Sequence, residues 1–296
     1  MEKQKVLVLV VTYNRLNDLK VCFDALQKQT YKTFDILVVN NGSTDGTKEW
    51  IENKKSELLS IHQENLGGAG GFYAGMKYMY ENGYDWLLMM DDDGIPDKDE
   101  LKNLLEGYEQ VAKSEGREVI VNALVADKEM PTRTSFLWAR GSKRSTDINT
   151  LQKEFYFNDI HPFNGTLIRR SIIEKIGFIK KEMFIWGDEE EYMARARHND
   201  IGTCTITTAI HYHPKEKGKK GYLLPFWKKY YILVKPTKMS HFYYRNKGFI
   251  YNTYPEKRKH IPVFLLGNTI YNITHLRFLE LFKFYKYFYK GASNKY

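Results

Sequence analysis

The 296-residue chain has only two cysteines, no long apolar run and no pattern typical of a secretion signal. Cys22 and Cys204 are far apart and outside any C-x-x-C spacing, which argues against a disulfide framework or a zinc knuckle and is typical of a reducing cytosol. The N-terminus enters VLVLVV almost directly, without a charged n-region or a cleavage site. We therefore expect a cytoplasmic protein that is neither secreted nor held by a spanning helix.

Acidic residues are scarce in the last part of the chain. Residues 211–296 hold 18 lysines and arginines against three acidic residues, whereas residues 1–210 hold 27 against 33. The same tail contains 22 of the 44 aromatic residues. Basic charge interleaved with aromatic rings is typical of contact with an anionic membrane surface or a nucleic acid, and composition alone does not choose between them. The shift in composition predicts two parts, 1–215 and 216–296, with the boundary in the KEKGKKG stretch.

Short apolar runs alternate with stretches of helical spacing in the first part of the chain. The apolar runs, which predict buried strands, are residues 6–11, 35–39, 58–62 and 85–90. The helical stretches between them are residues 16–28, 47–53 and 72–81. With right-handed crossovers, this order predicts an α/β fold with an open, mostly parallel sheet flanked by helices. Its ligand site is expected at the carboxyl ends of the strands.

A polar segment follows each apolar run, and the four segments should therefore meet at one edge of the sheet. They are TYNR (12–15), NNGSTDGT (40–47), ENLGGAGG (64–71) and DDDG (91–94). In the last of them, three adjacent carboxylates repel one another unless a cation or solvent relieves them. Oxygen ligands fit magnesium or manganese, which usually keep bonds to substrate phosphates. The alternative is a solvated acidic turn ahead of a helix.

The third segment is rich in glycine. Gly67, Gly68, Gly70 and Gly71 precede a helical pattern, where backbone N–H groups could approach a diphosphate. The spacing is neither G-x-G-x-x-G nor the Walker A pattern, so neither a dehydrogenase nor a P-loop NTPase is indicated. An ordinary strand-to-helix turn fits these residues equally well.

Two later segments carry further candidate groups. The acids at positions 188–191 follow an aromatic run, and a carboxylate in a partly apolar pocket can act as a general base. The alternative is an acidic first turn of a helix, which the helix dipole favours. After the next strand-like stretch come His211 and His213, either of which could add a nitrogen ligand to a metal.

In this order, the motifs resemble family 2 glycosyltransferases of the GT-A fold over residues 5–215. NLGGAGGFYAGM (65–76) followed by LLMMDDDG is most similar to bacterial galactofuranosyltransferases and related polysaccharide enzymes, including rhamnosyltransferases. The resemblance implies a GT-A type sheet domain at 1–215. Residues 216–296 then form a C-terminal helical, basic-aromatic appendage for membrane docking, acceptor binding or oligomerisation, in which residues 262–290 predict one or two helices.

The resemblance also implies roles for individual residues. The nucleotide-sugar donor is expected to contact Thr12, Asn14, Arg15, Asn40, Gly67, Gly68, Gly70, Asp91 and Asp92. Asp93 and His213 are expected to hold Mn²⁺ or Mg²⁺, with His211 the weaker candidate. The acceptor or sugar pocket is expected to include Asn164, Gly165 and Trp186. Asn40 stands where the family usually has aspartate, so the resemblance does not fix which nucleobase the donor carries.

The resemblance assigns the catalytic base once Arg195 is aligned with the arginine of the family's W-D-D-A-E-F-x-L-R pattern. Glu189 then stands where the family usually has aspartate, and Asp188 is the second candidate. The implied reaction is an inverting, metal-dependent transfer, with galactofuranose from UDP-galactofuranose as the first choice. The implied acceptor is a polysaccharide or lipid-linked glycan at the cytoplasmic face of the membrane, with no nucleic-acid partner and a possible homo-oligomer. The alternatives are a rhamnosyltransferase with a dTDP- or UDP-linked donor and a nucleotidyltransferase.

Overall fold

A computed structural model describes residues 4–136, 147–215 and 218–295. The chain divides into two compact units. The first unit comprises Met1–Lys181 and Ala196–Glu216, and the second comprises Glu182–Arg195 and Lys217–Tyr296. The segment 182–195, which the sequence analysis placed in the first domain, therefore clusters with the C-terminal region. Residues 216 and 217 of the KEKGKKG stretch lie outside the described residues.

The first unit contains a nine-stranded mixed sheet within the described residues. Its strands are β1 (Val6–Thr12), β2 (Phe34–Asn40), β3 (Leu59–His62), β4 (Trp86–Asp91), β5 (Ile95–Pro96), β6 (Val119–Asp127), β7 (Phe155–Phe157), β8 (Thr166–Arg169) and β9 (Gly202–His213). They lie in the order β3-β2-β1-β4-β8-β6-β9-β5, with β7 also paired to β9. Strands β1 to β4 pair in parallel, and β6 pairs in parallel with β9. Strand β8 runs antiparallel to both β4 and β6. The carboxyl ends of β1 to β4, β6 and β9 therefore lie at the same edge of the sheet.

Helices cover both faces of this sheet. In the first unit they are α1 (Leu16–Gln27), α2 (Thr47–Glu52), α3 (Gly67–Glu81), α4 (Glu100–Glu115) and α5 (Arg170–Ile176), and α6 (Asp188–His198) runs across the division between the units. On one face, alternate residues of β1 such as Val8 join a core with Leu19 of α1 and Leu104 of α4. The other face of β1, with Leu9 and Val11, packs against α3. Both faces are buried, which explains why these strands are continuous apolar runs.

The glycine-rich segment corrects the predicted loop. Gly67 to Gly71 belong to helix α3, which begins five residues earlier than the periodicity predicts. A Cβ atom at Gly71 would collide with Val11, and one at Gly75 would collide with Leu9. The missing side chains therefore allow the helix to lie directly on β1. At Gly68, by contrast, a Cβ atom would meet no other atom within 4 Å.

The second unit is a β-hairpin with three helices, together with residues 182–195. The hairpin pairs β10 (Lys219–Leu224) with β11 (Trp227–Val234), and the helices are α7 (Ser240–Thr253), α8 (Ile261–Thr274) and α9 (Phe278–Ala292). The segment 262–290, for which one or two helices were predicted, thus forms two, α8 and α9. Helices α7 and α9 cross closely, because a Cβ atom at Gly248 or at Gly291 would collide with the backbone of the other helix. No helix among the described residues is both long and apolar enough to cross a bilayer.

Candidate active site

A row of polar side chains lies at the carboxyl edge of the parallel strands. Across the β1–β2 and β2–β3 ladders, Thr12 is level with Asn40 and Asn40 is level with His62. On the other side of β1, Val11 is level with Asp91, so that the Asp91–Asp93 run begins beside the end of β1. All four predicted polar segments therefore follow strands that stop at about the same level.

Thr12 and Arg15 contact two of the three aspartates. The hydroxyl of Thr12 donates a 2.7 Å hydrogen bond to Oδ2 of Asp92, and both side chains are buried. The guanidinium of Arg15, about half exposed, lies 3.2 Å from Oδ1 of Asp92 and 2.6 Å from Oδ2 of Asp93. Arg15 is therefore the basic group at this cluster that stays charged at every ordinary pH.

Asp93 also meets His213, the residue at the end of β9. Oδ1 of Asp93 lies 3.3 Å from Nε2 of His213, and this oxygen is buried without a hydrogen bond of good geometry. Nδ1 of His213 lies 2.7 Å from the carbonyl oxygen of Pro214. A carbonyl can only accept, so Nδ1 carries the proton and Nε2 faces the carboxylate, which is the arrangement common in metal-binding histidines.

An aromatic residue that the sequence analysis missed holds the ring of His213. Phe136 lies 5.1 Å from the His213 ring and stacks at 4.9 Å on His161. Burial lowers the pKa of His161 to about 4, so His161 is neutral at neutral pH. In His213, burial opposes protonation, but the carboxylate of Asp93 outweighs burial and raises the pKa. In Asp93, His213 and Arg15 similarly outweigh burial and lower the pKa.

In Asp91 and Asp92, nearby positive charge and hydrogen bonds do not offset the effect of burial, and the pKa values of both carboxyl groups are raised. Burial, followed by the charges of Asp93 and Asp92, raises the pKa of Asp91 to about 7. Burial also raises the pKa of Asp92 to about 6, although Thr12 and Arg15 oppose the shift. Negative charge at this edge is thus under-neutralised, which is the condition that favours a bound cation. No cluster of three or more His, Cys, Asp or Glu side chains with metal-binding geometry occurs in the described part of the chain.

Asn14 and Asn40 connect the first two polar segments. Oδ1 of Asn14 accepts a 2.7 Å hydrogen bond from the amide of Thr44, and the Asn14 amide donates to Oγ of Ser43. Asn14 has a φ of 54°, a left-handed conformation that asparagine tolerates better than most residues. Asn40 is buried, and its Oδ1 accepts a hydrogen bond from the Ser43 amide while its Nδ2 lies 3.2 Å from Nδ1 of His62.

Asn41 was not predicted but fixes the start of helix α3. Its Nδ2 donates to the carbonyl of Gly67 at 2.7 Å, and its Oδ1 accepts from the Leu66 amide and from the side chain of Gln63. The glycines at the start of α3 are therefore tied to the end of β2. Gly67 has a φ of 71°, whereas Gly68 lies beside open space and Gly70 packs against Leu66.

Asn164 and Gly165 precede β8 and reach the same edge of the sheet. The Gly165 amide donates to the carbonyl of Met89 in β4, and the Gly165 carbonyl accepts from the Ala123 amide in β6. Gly165 has a φ of 69°, and a Cβ atom there would lie 2.6 Å from a carboxylate oxygen of Glu100. Oδ1 of the buried Asn164 has no hydrogen-bond partner among the described residues.

His211, the weaker metal candidate, has a different environment from His213. It is fully buried, and its Nδ1 lies 3.0 Å from Oε2 of Glu100. A Cβ atom at Gly94 would lie 2.3 Å from its Nε2, so any side chain at position 94 would displace the buried ring. Glu100 is itself buried, and burial raises its pKa despite the opposing charge of His211. No local pattern predicted this pair, because the two residues are 111 positions apart.

In the second unit, two members of the acidic run already have basic or hydroxyl partners. Glu190 pairs with Lys247 and lies 3.1 Å from Nζ of Lys257. Glu191 is fully buried and accepts hydrogen bonds from Arg195 at 2.7 Å and from the hydroxyl of Tyr254 at 2.6 Å.

The first two members of the run are placed differently. Oε2 of Glu189 lies 3.2 Å from the amide of Gly187, which donates to it, and Asp188 is buried. Glu189 is thus partly buried and held by a backbone N–H group.

The backbone ahead of the acidic run is held in an unusual conformation. Phe184, Trp186 and Gly187 have φ values of 64°, 60° and 128°. Nδ2 of Asn246, in helix α7, lies within hydrogen-bond distance of three carbonyl oxygens, at 2.9 Å from Met183, 3.0 Å from Ile185 and 3.2 Å from Trp186. The Trp186 ring lies 4.8 Å from Nζ of Lys235. Phe184 and Trp186 would not freely adopt this conformation, and the hydrogen bonds from Asn246 therefore offset the strain in their backbone.

Comparisons with known proteins agree with the motifs. The Glycosyl transferase family 2 profile matches residues 7–177. The chain is 28% identical to galactofuranosyltransferase GlfT1 of Mycolicibacterium smegmatis over 267 residues, which cover 87% of this chain and 86% of that protein. It is 32% identical to GlfT1 of Mycobacterium tuberculosis over 219 residues, which cover 71% of this chain and 70% of that protein.

Among solved structures, the chain is similar to the mannosyltransferase PcManGT of Pyrobaculum calidifontis in complex with GDP-Man and Mn²⁺. The TM-score is 0.53 and the identity 14%, over 99% of this chain and 76% of that chain. This likeness concerns the fold, and it confirms the predicted GT-A type sheet.

Proposed function

The chain belongs to glycosyl transferase family 2 and is a hexosyltransferase, and from this premise we propose that it is an inverting, metal-dependent enzyme with a nucleotide-sugar donor. One observation carries the proposal: Asp91, Asp92 and Asp93 lie at the carboxyl edge of parallel strands, where Arg15 and His213 only partly neutralise them. Such an edge is where open α/β sheets bind their ligands.

The residues present fit a divalent ion. Asp93 offers a buried oxygen without a good hydrogen-bond donor, and His213 presents Nε2 toward it. These two side chains would hold Mn²⁺ or Mg²⁺, with water and donor phosphates as the remaining ligands. When bound, the ion would neutralise charge that builds on the leaving diphosphate. The guanidinium of Arg15 would add a second positive charge toward the same group.

We propose that the donor binds to the row of polar side chains at the carboxyl ends of the strands. Thr12, Asn14 and Asn40 would surround the nucleoside, because their side chains order the loops after β1 and β2. The start of α3, with Gly67, Gly68 and Gly70, would turn backbone N–H groups toward the diphosphate. Open space beside Gly68 leaves room for such an approach.

The proposed base is Glu189, with Asp188 as the second candidate. Glu190 and Glu191 are poor candidates because lysines hold the first and Arg195 and Tyr254 hold the second. Glu189 keeps a carboxylate oxygen beside a backbone amide, which fixes its position without neutralising its charge. The base would remove the proton from the acceptor hydroxyl as that oxygen bonds to the anomeric carbon. Asn164, Gly165 and Trp186 are proposed for the acceptor or sugar pocket.

The donor sugar is proposed from the relatives, whose names identify galactofuranosyltransferases. UDP-galactofuranose is therefore the first donor to test, and a polysaccharide or lipid-linked glycan on the cytoplasmic side is the proposed acceptor. A rhamnosyltransferase with a dTDP- or UDP-linked donor is the alternative within this class.

The test is a panel of nucleotide sugars, with and without Mn²⁺ or Mg²⁺, read out as release of nucleoside diphosphate. We expect metal-dependent release of UDP from UDP-galactofuranose, and inverted anomeric configuration in the product by NMR. Release of another diphosphate would reassign the donor. Release of pyrophosphate from a nucleoside triphosphate, without diphosphate release from any sugar donor, would support a nucleotidyltransferase instead.

A further inference from the structure

Helix α8 of the second unit is amphipathic in the opposite sense from an ordinary surface helix. It buries Asn268 and Asn272 at 2% and 1% exposure, whereas Val263 and Leu266 are 75% and 62% exposed. The buried asparagines donate hydrogen bonds to carbonyls of their own helix, four residues earlier. A helix in water normally turns its apolar side chains inward, whereas α8 leaves apolar side chains exposed, a feature typical of surfaces that bind a partner or a membrane.

The turn after α8 and the next helix also expose apolar side chains. Leu276 lies between α8 and α9 and is 76% exposed, and Leu279 and Phe282 on α9 are 89% and 71% exposed. Between them, Glu280 is buried and accepts hydrogen bonds from Ser240 and Tyr244. The acidic side chain thus points into the unit while its apolar neighbours point out.

The β10–β11 hairpin packs beside α8. Oγ1 of Thr274, the last residue of α8, donates a 2.6 Å hydrogen bond to the carbonyl of Leu223 in β10. Leu223, Leu224, Tyr230 and Ile270 line an apolar pocket between the hairpin and α8. Phe226, in the hairpin turn, is fully exposed. We define the apolar face as nine of the exposed apolar side chains of the hairpin, of α8, of α9 and of the turn between the two helices, namely Leu224, Phe226, Val263, Leu266, Ile273, Leu276, Phe278, Leu279 and Phe282.

Exposed lysines flank these apolar side chains in the sequence, and Glu256 is the one exposed acidic residue of 218–295. Lys228 and Lys229 directly follow the hairpin turn and are exposed, and Lys286 is exposed one turn beyond Phe282. Residues 218–295 contain two acidic residues, of which Glu280 is buried. An isologous contact between two copies of this face would bring like charges together, whereas an anionic lipid surface would meet both the lysines and the apolar side chains.

We infer that the apolar face docks the enzyme on an anionic membrane surface, with Leu276, Leu279, Phe282 and Phe226 inserted among the lipid chains and the lysines at the headgroups. Interfacial helices bind in this way, through buried apolar area together with attraction to anionic lipids. This docking goes beyond the proposed reaction and does not depend on which sugar is transferred.

The first test is co-sedimentation of the full-length protein with vesicles of phosphatidylcholine, alone or mixed with phosphatidylglycerol. We expect binding to the mixed vesicles that weakens at high salt. Leu279→Ser with Phe282→Ser should weaken this binding at least about tenfold, because each apolar side chain buried in lipid contributes substantially. Lys228→Gln with Lys229→Gln should weaken binding to the anionic vesicles more than to the neutral ones.

The matched control is Val21→Ser on α1, an apolar residue that is 50% exposed in the first unit. It should bind vesicles like the wild type. Both serine variants should keep the wild-type unfolding midpoint and the turnover on a soluble acceptor, since the replaced side chains are exposed. Wild-type binding by the Leu279→Ser, Phe282→Ser variant, or no binding of the wild type to anionic vesicles, would overturn the inference.

A second readout uses an introduced cysteine. The two native cysteines are both buried, so a thiol dye should react mainly with the introduced one. A polarity-sensitive thiol dye on Leu279→Cys should shift to shorter emission wavelength when anionic vesicles are added, whereas the same dye on Val21→Cys should not. Light scattering tests whether a second copy of the chain, and not a membrane, covers the apolar face. A wild-type dimer that the double serine variant converts to a monomer, without a vesicle-induced dye shift, would assign the face to a second copy of the chain and overturn membrane docking.

Discussion

Residues 91–93 in the first unit and residues 188–191 in the second are both runs of consecutive acidic residues, yet the fold surrounds them differently. The three aspartates of the first run share Arg15 and His213, and burial with mutual repulsion raises the pKa of Asp91 to about 7. In the second run, Glu190 alone has two lysine partners, and the charges of Lys247 and Lys257 outweigh burial and lower its pKa to about 2.

The difference teaches that an acidic run in a sequence has two physical meanings. Carboxylates with too little positive charge around them favour a cation, because binding relieves their repulsion. Carboxylates that are each held by lysine, arginine or tyrosine already have their partners and stabilise the fold. The second run contains both kinds, since Glu190 and Glu191 are held while Glu189 contacts a backbone amide. The following substitutions separate these meanings.

The largest effect is expected at Asp93. Asp93→Ala should lower turnover by roughly 10³-fold or more, because a metal ligand contributes several kcal/mol to charge stabilisation in the transition state. The readout is diphosphate release at saturating Mn²⁺, and EDTA should have a similar effect on the wild type. Asp24→Ala, at an exposed aspartate of α1, is the control that should stay fully active. Full activity of Asp93→Ala, or of the wild type in EDTA, would remove the metal from the mechanism.

Glu189→Gln is expected to have the next largest effect. It keeps the shape of the side chain and removes its basicity, so turnover should fall by about 10²-fold or more while donor binding persists. Single-turnover kinetics and calorimetric titration of UDP measure the two quantities. Asp188→Asn should be less harmful. If the order of the two variants is reversed, Asp188 is the base and the alignment on Arg195 is off by one residue.

Features of the fold that depend on residues close together in the sequence could be predicted, whereas features that depend on distant residues could not. The first four strands agree with their apolar runs to within one residue, because a strand buried on both faces is apolar throughout. The order of β8, β6 and β9 was not predictable, since it rests on pairing between distant segments. Helix α3 was predicted too short because the helical spacing of apolar residues does not include its glycines, whose role is close packing on β1.

The candidate site shows the same limit. Thr12, Asn40 and Asp91 are brought together by parallel strands that end at one level, and this follows from the alternation of strands and helices. No local sequence pattern predicted the roles of Phe136, Glu100 and Asn246. Their partners lie far away in the sequence, as with the 63 positions between Asn246 and Met183. Only the folded chain identifies residues whose role is to hold another residue in place.

Asn246 provides a third test, because it holds the backbone ahead of the second acidic run. Asn246→Ala should lower the free energy of unfolding by about 2 kcal/mol, since it leaves up to three buried or partly buried carbonyl oxygens without their donor. Urea unfolding gives this value. Turnover should also fall, because Phe184, Trp186 and Gly187, which have positive φ values, lead into Glu189.

The control for Asn246 lies on the same helix. Asn252→Ala removes one hydrogen bond from an exposed side chain to the carbonyl of Ala292, and it should change stability by about 0.5 kcal/mol or less. Equal effects at the two positions would show that Asn246 has no special part in holding the strained segment.

The smallest effect is expected at Lys247, and it depends on pH. Glu190 has a pKa of about 2 in the folded chain against 4.5 ordinarily, so its pairing stabilises the fold fully above pH 4.5 and is lost as the pH falls toward 2. Lys247→Met should therefore cost about 1–2 kcal/mol in urea unfolding at pH 7 and less at pH 3. Lys259→Met, at an exposed lysine, should show no such change with pH. A cost for Lys247→Met that is the same at both pH values would mean that packing of the lysine stem, and not the charge of Glu190, stabilises this unit.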